Sequence, residues 1–332
     1  MKKVIILIVI ISLLFPEEKK IRDRIIDVDK KLIRSNSTIQ NNQLNSNIHY
    51  SNSKRAPFNP EYIKFKNKLS LGRINKHTSD GFKLGYIPPP NKINFTSNFG
   101  LNRGVSLPDY YDLRNEDYLT PVRDQGQCGA CWAFASFGSV ESNWKQIGLG
   151  SFDLSENNAN CGHGFEWGMC DGGNSHLASA YLVRGDGPIN ELDDPYLGSL
   201  GVYQTGLTPL AYITDVRYLS NNPDLIKQAI YEHGALYTTL HVADPESGES
   251  LDQYMNSDYT YYYNGEEPTN HAVTLIGWDD NKFVNGAPGY GAWICKNSWG
   301  NTWGENGFFY ISYYDTKVNE EVALWPNRIE YK

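Results

Sequence analysis

Basic residues are scarce over most of this chain. Of its 332 residues, 105–332 contain only 11 Lys and Arg against 31 Asp and Glu, a net charge of −20. A body of that sign repels phosphate, which argues against nucleic acid as a partner. Cysteine is sparse too: there are five, an odd number, so at least one is unpaired. No internal repeat is found, which sets aside repeat architectures. The apolar run Val4–Phe15, preceded by Met1-Lys2-Lys3, is twelve residues long. It has the charged start and short hydrophobic stretch of a signal peptide and is too short for an ordinary membrane span. Leu13-Leu14-Phe15-Pro16-Glu17 lacks the small residues of a cleavage site. Residues 1–16 are therefore expected to be a signal peptide or, alternatively, a retained anchor, with membrane association only if they stay in place. Export would also permit disulfides.

What is present divides the chain in two. Residues 1–104 carry 19 Lys and Arg against 7 Asp and Glu, a net +12. Within them, Ile21, Ile25, Ile26, Val28 and Leu32 follow helical spacing. Ser35–Ser53, with six Asn and five Ser, is too polar to bury a core and reads as a linker. Asn59-Pro60 has the form of a helix start, with Tyr62, Phe65 and Leu69 following on one face. Pro88-Pro89-Pro90 reads as a stiff extended spacer. From Leu107 the texture changes to aromatics, glycine and acidic residues, within an overall 40% hydrophobic and 13% aromatic content that suits a packed globule. Cys131–Trp144 reads as a buried helix, and Asn222-Pro223 opens another that Gly234 would end. Shorter apolar runs follow at Ala235–Val242, Ala272–Trp278, Ala292–Lys296 and Phe308–Tyr313, the pattern of strands. Helices first and strands afterwards point to an α+β fold.

One run has the form of a reactive site. In Gln125-Gly126-Gln127-Cys128-Gly129-Ala130-Cys131 a side-chain amide stands six residues before a cysteine that opens an apolar helix. The positive end of a helix macrodipole favours thiolate, and a nearby amide N–H could stabilise an oxyanion. The competing reading is a buried cysteine acting as a small apolar group, with Gln125 a turn residue.

Cys128-Gly129-Ala130-Cys131-Trp132, with Gln125 before it, resembles the active-site segment of the papain family of cysteine peptidases. Asn270-His271-Ala272-Val273 leads into an apolar strand 140 residues after Cys131, within the interval that resemblance implies for a catalytic histidine. Lys296-Asn297-Ser298-Trp299-Gly300, continuing through Trp303-Gly304-Glu305-Asn306-Gly307, is similar to the family's asparagine block. The likeness spans roughly Leu107–Tyr314. It implies a papain-like two-lobe fold, one helical and one β-barrel-like, with the active site in the cleft between them. It also implies catalysis by Cys131, His271 and Asn297, with Gln125 as oxyanion donor and Trp299 shielding the His–Asn hydrogen bond. His49, His77, His233 and His241 are then structural.

The resemblance further implies a Cys128–Cys170 disulfide, Cys170 preceding Asp171-Gly172-Gly173. Cys161 would be left without a partner and Cys295 would be a buried free thiol. A zinc reading of Cys161, His163 and Cys170 lacks a fourth ligand once the disulfide claims Cys170. Neither metal nor cofactor is expected. Gly172 and Gly173 would let an extended peptide lie alongside, with Asn174, Ser175, Asn270 and Trp299 also facing substrate. Asn174 and Ser175 are polar where many relatives line the main specificity pocket with apolar groups, which argues against the usual preference for a bulky hydrophobic residue. The acidic body would instead attract basic peptides.

The division expected is therefore 1–16 as above, 17–104 a basic pro-region or linker, and 105–332 the peptidase domain. The long interrupted helical motif usual in such pro-regions is missing, so inhibition by 17–104 rests here on position and on +12 docking against −20. Asp279–Gly291 reads as an enlarged hairpin loop. The activity implied is hydrolysis of protein or peptide substrates by a secreted or cell-surface enzyme made as a precursor. The rival readings are a catalytically weak surface protein that uses the fold for binding, and an acyl transferase or peptide ligase.

Overall fold

The computed structural model describes residues 58–72, 76–91, 106–326 and 328–330. The signal or anchor segment, the amphipathic stretch 17–34 and the linker Ser35–Ser53 lie outside the described residues. Those described fall within one compact unit, Ala56–Lys332.

The helices are α1 (Pro60–Ser70), α2 (Cys131–Gln146), α3 (Glu156–Gly162), α4 (Ser175–Val183) and α5 (Pro223–His233). Ten strands accompany them: β1 (Tyr110–Asp112), β2 (Ala211–Ile213), β3 (Arg217–Leu219), β4 (Leu236–Leu240), β5 (Thr260–Tyr261), β6 (His271–Asp279), β7 (Ala292–Lys296), β8 (Phe308–Ser312), β9 (Val322–Leu324) and β10 (Arg328–Glu330). Eight form one sheet in the order β3-β9-β4-β6-β7-β8-β5, with β1 also pairing to β6; β10 and β2 form a separate ribbon.

Local chemistry sets the boundaries. The side chains of Asn59 and Asn222 accept from Glu61 N and Leu225 N, and a proline follows each of them. Gly234, at φ 87°, ends α5 in a conformation that side chains resist. In α2 every residue from Cys131 to Trp144 is buried, because the helix is enclosed on all sides rather than along one stripe. The β6–β7 pairing shifts register between Leu275 and Gly277. A Cβ at Gly277 would run into the Tyr111 carbonyl, so only glycine lets β1 pair there.

Two apolar clusters correspond to the two lobes of an α+β fold. One gathers Trp132, Phe137, Val140 and Trp144 of α2 with Leu177, Tyr181 and Leu182 of α4. The other gathers Leu236, Leu240, Val273, Leu275, Trp293 and Ile311 of the sheet with Ile226 and Ile230 of α5. The start of α2 and the start of β6 meet where the clusters adjoin, which places Cys131 and His271 on facing lobes.

The described part of the basic front segment, 58–72 and 76–91, is folded onto this body. Of the three residues on one face of α1, Tyr62 and Phe65 are half-buried and Leu69 stays 39% exposed, while Glu61 is buried. Its contacts are largely ionic because the surface below is: Lys68 pairs with Asp244 at 3.4 Å and Glu267 at 2.6 Å, and Lys317 pairs with Glu61 at 3.4 Å. Phe65 adds an edge contact to Trp167. Pro88-Pro89-Pro90 is extended but is no free spacer. Ile87, Pro88 and Pro89 are buried, and Asn59 bonds back to the carbonyls of Pro89 and Pro90.

Candidate active site

Cys131 is the first residue of α2, after an Ala130 that offers no side-chain cap. The thiol therefore stands at the unsatisfied positive end of the helix. His271 opens β6, opposite Leu240 of β4, and is fully buried. Asn297 directly follows β7, and its N–H is held by the Gly307 carbonyl at 2.9 Å.

The His–Asn contact fixes a tautomer. Asn297 Oδ1 lies 2.8 Å from His271 Nε2 and also accepts the backbone N–H of Ser298 at 2.8 Å. A backbone N–H can only donate, so the amide oxygen must face it, and Nε2 must carry the proton it donates to the same oxygen. Nδ1, buried and with no hydrogen-bond partner among the described residues, keeps its lone pair. Trp299 stacks on the imidazole with centroids 4.6 Å apart, and Trp303 meets Trp299 edge-on at 4.9 Å. This aromatic wall keeps water from the His–Asn hydrogen bond.

Gln125 is fully buried and bridges the lobes. Its Oε1 accepts from Ser298 Oγ at 2.6 Å, and its backbone N–H donates to the Ser298 carbonyl at 2.8 Å. The amide Nε2 donates to Cys128 O at 2.9 Å and to Lys83 O at 3.1 Å. Ser298 thus sets which way the Gln125 amide points; its place beside Asn297 in the chain was the available signal, and its partner could not be read from it.

Lys83 belongs to a stretch that crosses the cleft in extended form. Gly173 donates to Gly85 O at 2.8 Å and accepts from Ile87 N at 2.9 Å, a parallel bridge centred on Tyr86. Tyr86 N donates to Asn270 O at 3.0 Å, Asn174 Nδ2 to Ile87 O at 2.9 Å, and Trp299 Nε1 to Lys83 O at 3.3 Å. Phe82 stacks on Trp299 at 4.8 Å. Of the six residues expected to face substrate, Gly173, Asn174, Asn270 and Trp299 hydrogen-bond this stretch and Gly172 lies against Gly85 O. Ser175 does not bond it; its N–H turns to Glu321 Oε1. Asn174 has a second duty as N-cap of α4. Cys128 and Cys170 form a disulfide with Cα atoms 4.5 Å apart, closing the loop in front of α2. Cys131, Cys161 and Cys295 are free. Among the described residues no cluster could hold a metal ion.

The filled cleft changes the ionisation expected from helix position alone. Burial pushes the Cys131 thiol up to about 12, against the N–H groups of Ala272 and Gly85 that pull it down. Burial likewise lowers His271 to about 4, only partly offset by Asn297. With both groups desolvated the neutral thiol and imidazole prevail over the ion pair.

The sequence profile described as "Papain family cysteine protease" matches residues 107–324. The chain belongs to the papain family. Mouse cathepsin J is 30% identical over 248 residues, covering 74% of this chain and 72% of cathepsin J. The viral cathepsin of Heliothis zea nuclear polyhedrosis virus is 34% identical over 209 residues, 62% of this chain and 53% of that protein. Among solved structures, the cysteine protease and lectin-like domains of Cwp84, a surface-layer-associated protein of Clostridium difficile, superpose with a TM-score of 0.69. That likeness, at 24% identity over 83% of this chain and 61% of Cwp84, speaks for the fold alone. As a papain-family member the chain is a cysteine peptidase that acts on proteins or peptides.

Proposed function

We propose that this papain-family peptidase is exported as a latent precursor and hydrolyses peptide bonds through Cys131, His271, Asn297 and Gln125. Residues 1–16 serve as export signal or anchor, 17–104 as pro-region, and 105–332 as the peptidase domain, acting outside the cytoplasm. The observation that carries this reading is the stretch Lys83–Ile87, a peptide backbone laid across Cys131 and hydrogen-bonded to Gly173, Asn270 and Gln125. A site that holds one extended peptide through main-chain groups can hold another.

In the closed chain the stretch Lys83–Ile87 occupies the site, and the Gly85 N–H is among the groups that pull the Cys131 thiol down against burial. Once the stretch leaves, the Cys131 proton passes to His271 Nδ1 and the thiolate attacks a substrate carbonyl. The developing oxyanion takes hydrogen bonds from Gln125 Nε2 and the Cys131 N–H. Nδ1–H then protonates the departing amine, leaving a thioester that water, deprotonated by the same nitrogen, hydrolyses. Peptide cleavage assayed by mass spectrometry with and without an added primary amine tests this. Free acids as the main product in both assays fit hydrolysis; amides as the main product would mean acyl transfer, and uncut peptide a binding protein.

Precursor processing is expected to accelerate in acid and in salt. Lys68 is held by Asp244 and Glu267, and the Asp244 N–H is itself anchored on Glu249 Oε2 at 2.9 Å. Burial alone would raise Glu249, but hydrogen bonds from His241, Asp244 N and Tyr254 outweigh it and its pKa is lowered from 4.5. A carboxylate lowered in the folded state stabilises above its ordinary pKa, and that contribution is lost as pH falls through the lowered value. The platform under α1 therefore weakens below about pH 4.5, while protonation of body carboxylates reduces the attraction between +12 and −20. Gel assays of self-processing check this: faster processing at neutral pH together with indifference to salt would contradict it.

A further inference from the structure

Gln125 lies in a loop outside helix and strand, so contacts from its neighbours fix where its amide points. From the β-rich lobe, Ser298 holds both its N–H and its Oε1. From the helical lobe, the Tyr196 hydroxyl donates to the Gln125 carbonyl at 2.9 Å. The Tyr196 ring is half-buried and packs beside the Cys128–Cys170 disulfide. It stands edge-on to Phe134, in the first turn of α2, with centroids 4.8 Å apart. Its backbone is just as constrained. Two residues earlier, both oxygens of buried Asp194 accept side-chain amides of α3, from Asn157 at 2.6 Å and Asn158 at 2.7 Å. The Tyr196 N–H donates to Glu191 Oε1 at 2.7 Å, and the Glu191 N–H donates to Asp153 O at 2.8 Å. Glu191 Oε2 is buried and has no hydrogen-bond partner among the described residues.

We infer that Tyr196 is a positioning residue for Gln125, and that Glu191 sets how firmly Tyr196 is held. An oxyanion donor helps only if it already points to where charge will develop. When the crossing stretch leaves, Gln125 Nε2 loses Lys83 O and keeps Cys128 O, so the amide has fewer bonds of its own. The Tyr196 hydroxyl then ties the Gln125 main chain to the lobe that carries Cys131. Burial first, and then Glu156, push the Tyr196 phenol up, so it stays a donor. Glu191 supplies the adjustable part. Burial pushes its carboxyl up to about 7, against the Tyr196 N–H that pulls it down. Asp153 and Asp194 push it up as well, Arg123 pulls it down, and Glu156 of α3 faces it with the same charge. Because the Tyr196 N–H favours the ionised form, ionisation in turn tightens that hydrogen bond. Tyr196 is therefore held more firmly above about pH 7 than below it, and Gln125 with it.

The inference rests on the reading of Gln125 as oxyanion donor, and one set of variants separates the two. Enzyme released from the full chain is counted by titrating Cys131 with a thiol-directed epoxide, and circular dichroism checks its fold. With a peptide that the wild-type enzyme cleaves, Tyr196→Phe is expected to lower kcat about five- to ten-fold and leave KM within about two-fold. Added to Gln125→Ala, the same change should cost less than about two-fold, since a residue acting through the amide has nothing left to position. A merely structural tyrosine would cost the same in both backgrounds. That result, or a Tyr196→Phe enzyme as fast as wild type, would overturn the assignment. Glu191→Gln keeps the shape and an acceptor but cannot ionise. The ratio of wild-type to Glu191→Gln kcat is expected to rise about two- to three-fold from about pH 6 to about pH 8, and to stay flat when both enzymes carry Tyr196→Phe. A flat ratio with Tyr196 intact would remove Glu191 from the assignment. Undiminished kcat in Gln125→Ala would refute the reading of Gln125 itself, whereas a loss there beside none in Tyr196→Phe would sink this inference alone.

Discussion

A single methyl group at Gly85 is expected to open the proposed precursor. Gly85 lies against the backbone of Gly129, two residues before Cys131, and a Cβ there would run into the Gly129 carbonyl and Cα. Neither partner is a flexible side-chain end, so the crossing stretch must lift. Overpacking of this kind costs about 1–3 kcal/mol, which converts to an open population raised about 10–10²-fold. In Gly85→Ala, Cys131 of the uncut chain is therefore expected to react with iodoacetamide about 10–10²-fold faster at neutral pH. Its thiol should also titrate lower, because burial is what pushes it up to about 12. Gly85→Val should exceed both effects. Peptide mapping of the alkylated residue is the check, and a precursor as unreactive as wild type would mean that the stretch does not control access to Cys131.

Loss of the proposed nucleophile is expected to have the larger effect. In enzyme released from the pro-region, Cys131→Ala is expected to lower kcat/KM by about 10⁴-fold or more, and His271→Ala by a comparable factor, because the two act as a unit. Gln125→Ala should cost about 10²–10³-fold, chiefly in kcat, as expected for a donor that strengthens its bond only as charge develops. Asn297→Ala should cost about 10–10²-fold, the worth of one buried orienting hydrogen bond. Variants that abolish self-processing can be released by adding a trace of active enzyme, and circular dichroism shows whether each is folded. Near-additive losses in the Cys131→Ala, His271→Ala double variant would argue against a shared mechanism.

Much of this site is legible in the sequence because its parts are local. Cys131 announces itself through the helix it opens, His271 through the strand it opens, and Asn297 through the tryptophans that follow it. The helix ends at Asn59, Asn222 and Gly234 are equally local, since a capping side chain bonds N–H groups two or three residues away. The crossing stretch is hidden for the opposite reason. Its bonds to Gly173 and Asn270 are made by main-chain groups that every residue possesses, and Gly85 alone is one glycine among 30. Ser298 and Tyr196 were missed because their partner, Gln125, is distant along the chain. The seating of α1 is not legible in the sequence because periodicity ranks apolar residues, whereas Glu61, Lys64 and Lys68 make its polar contacts with distant residues of the body. The thiolate expected at the helix start gives way in the closed chain because desolvation outweighs the backbone N–H groups that pull the thiol down.

The most direct measurement treats the processed protein with a thiol-directed epoxide and follows label position and peptidase activity together. Modification of Cys131 alone is expected, with activity falling in proportion to the fraction labelled, and almost no label before processing. Labelling at Cys161 or Cys295 in step with inactivation, or full activity with Cys131 completely modified, would contradict it.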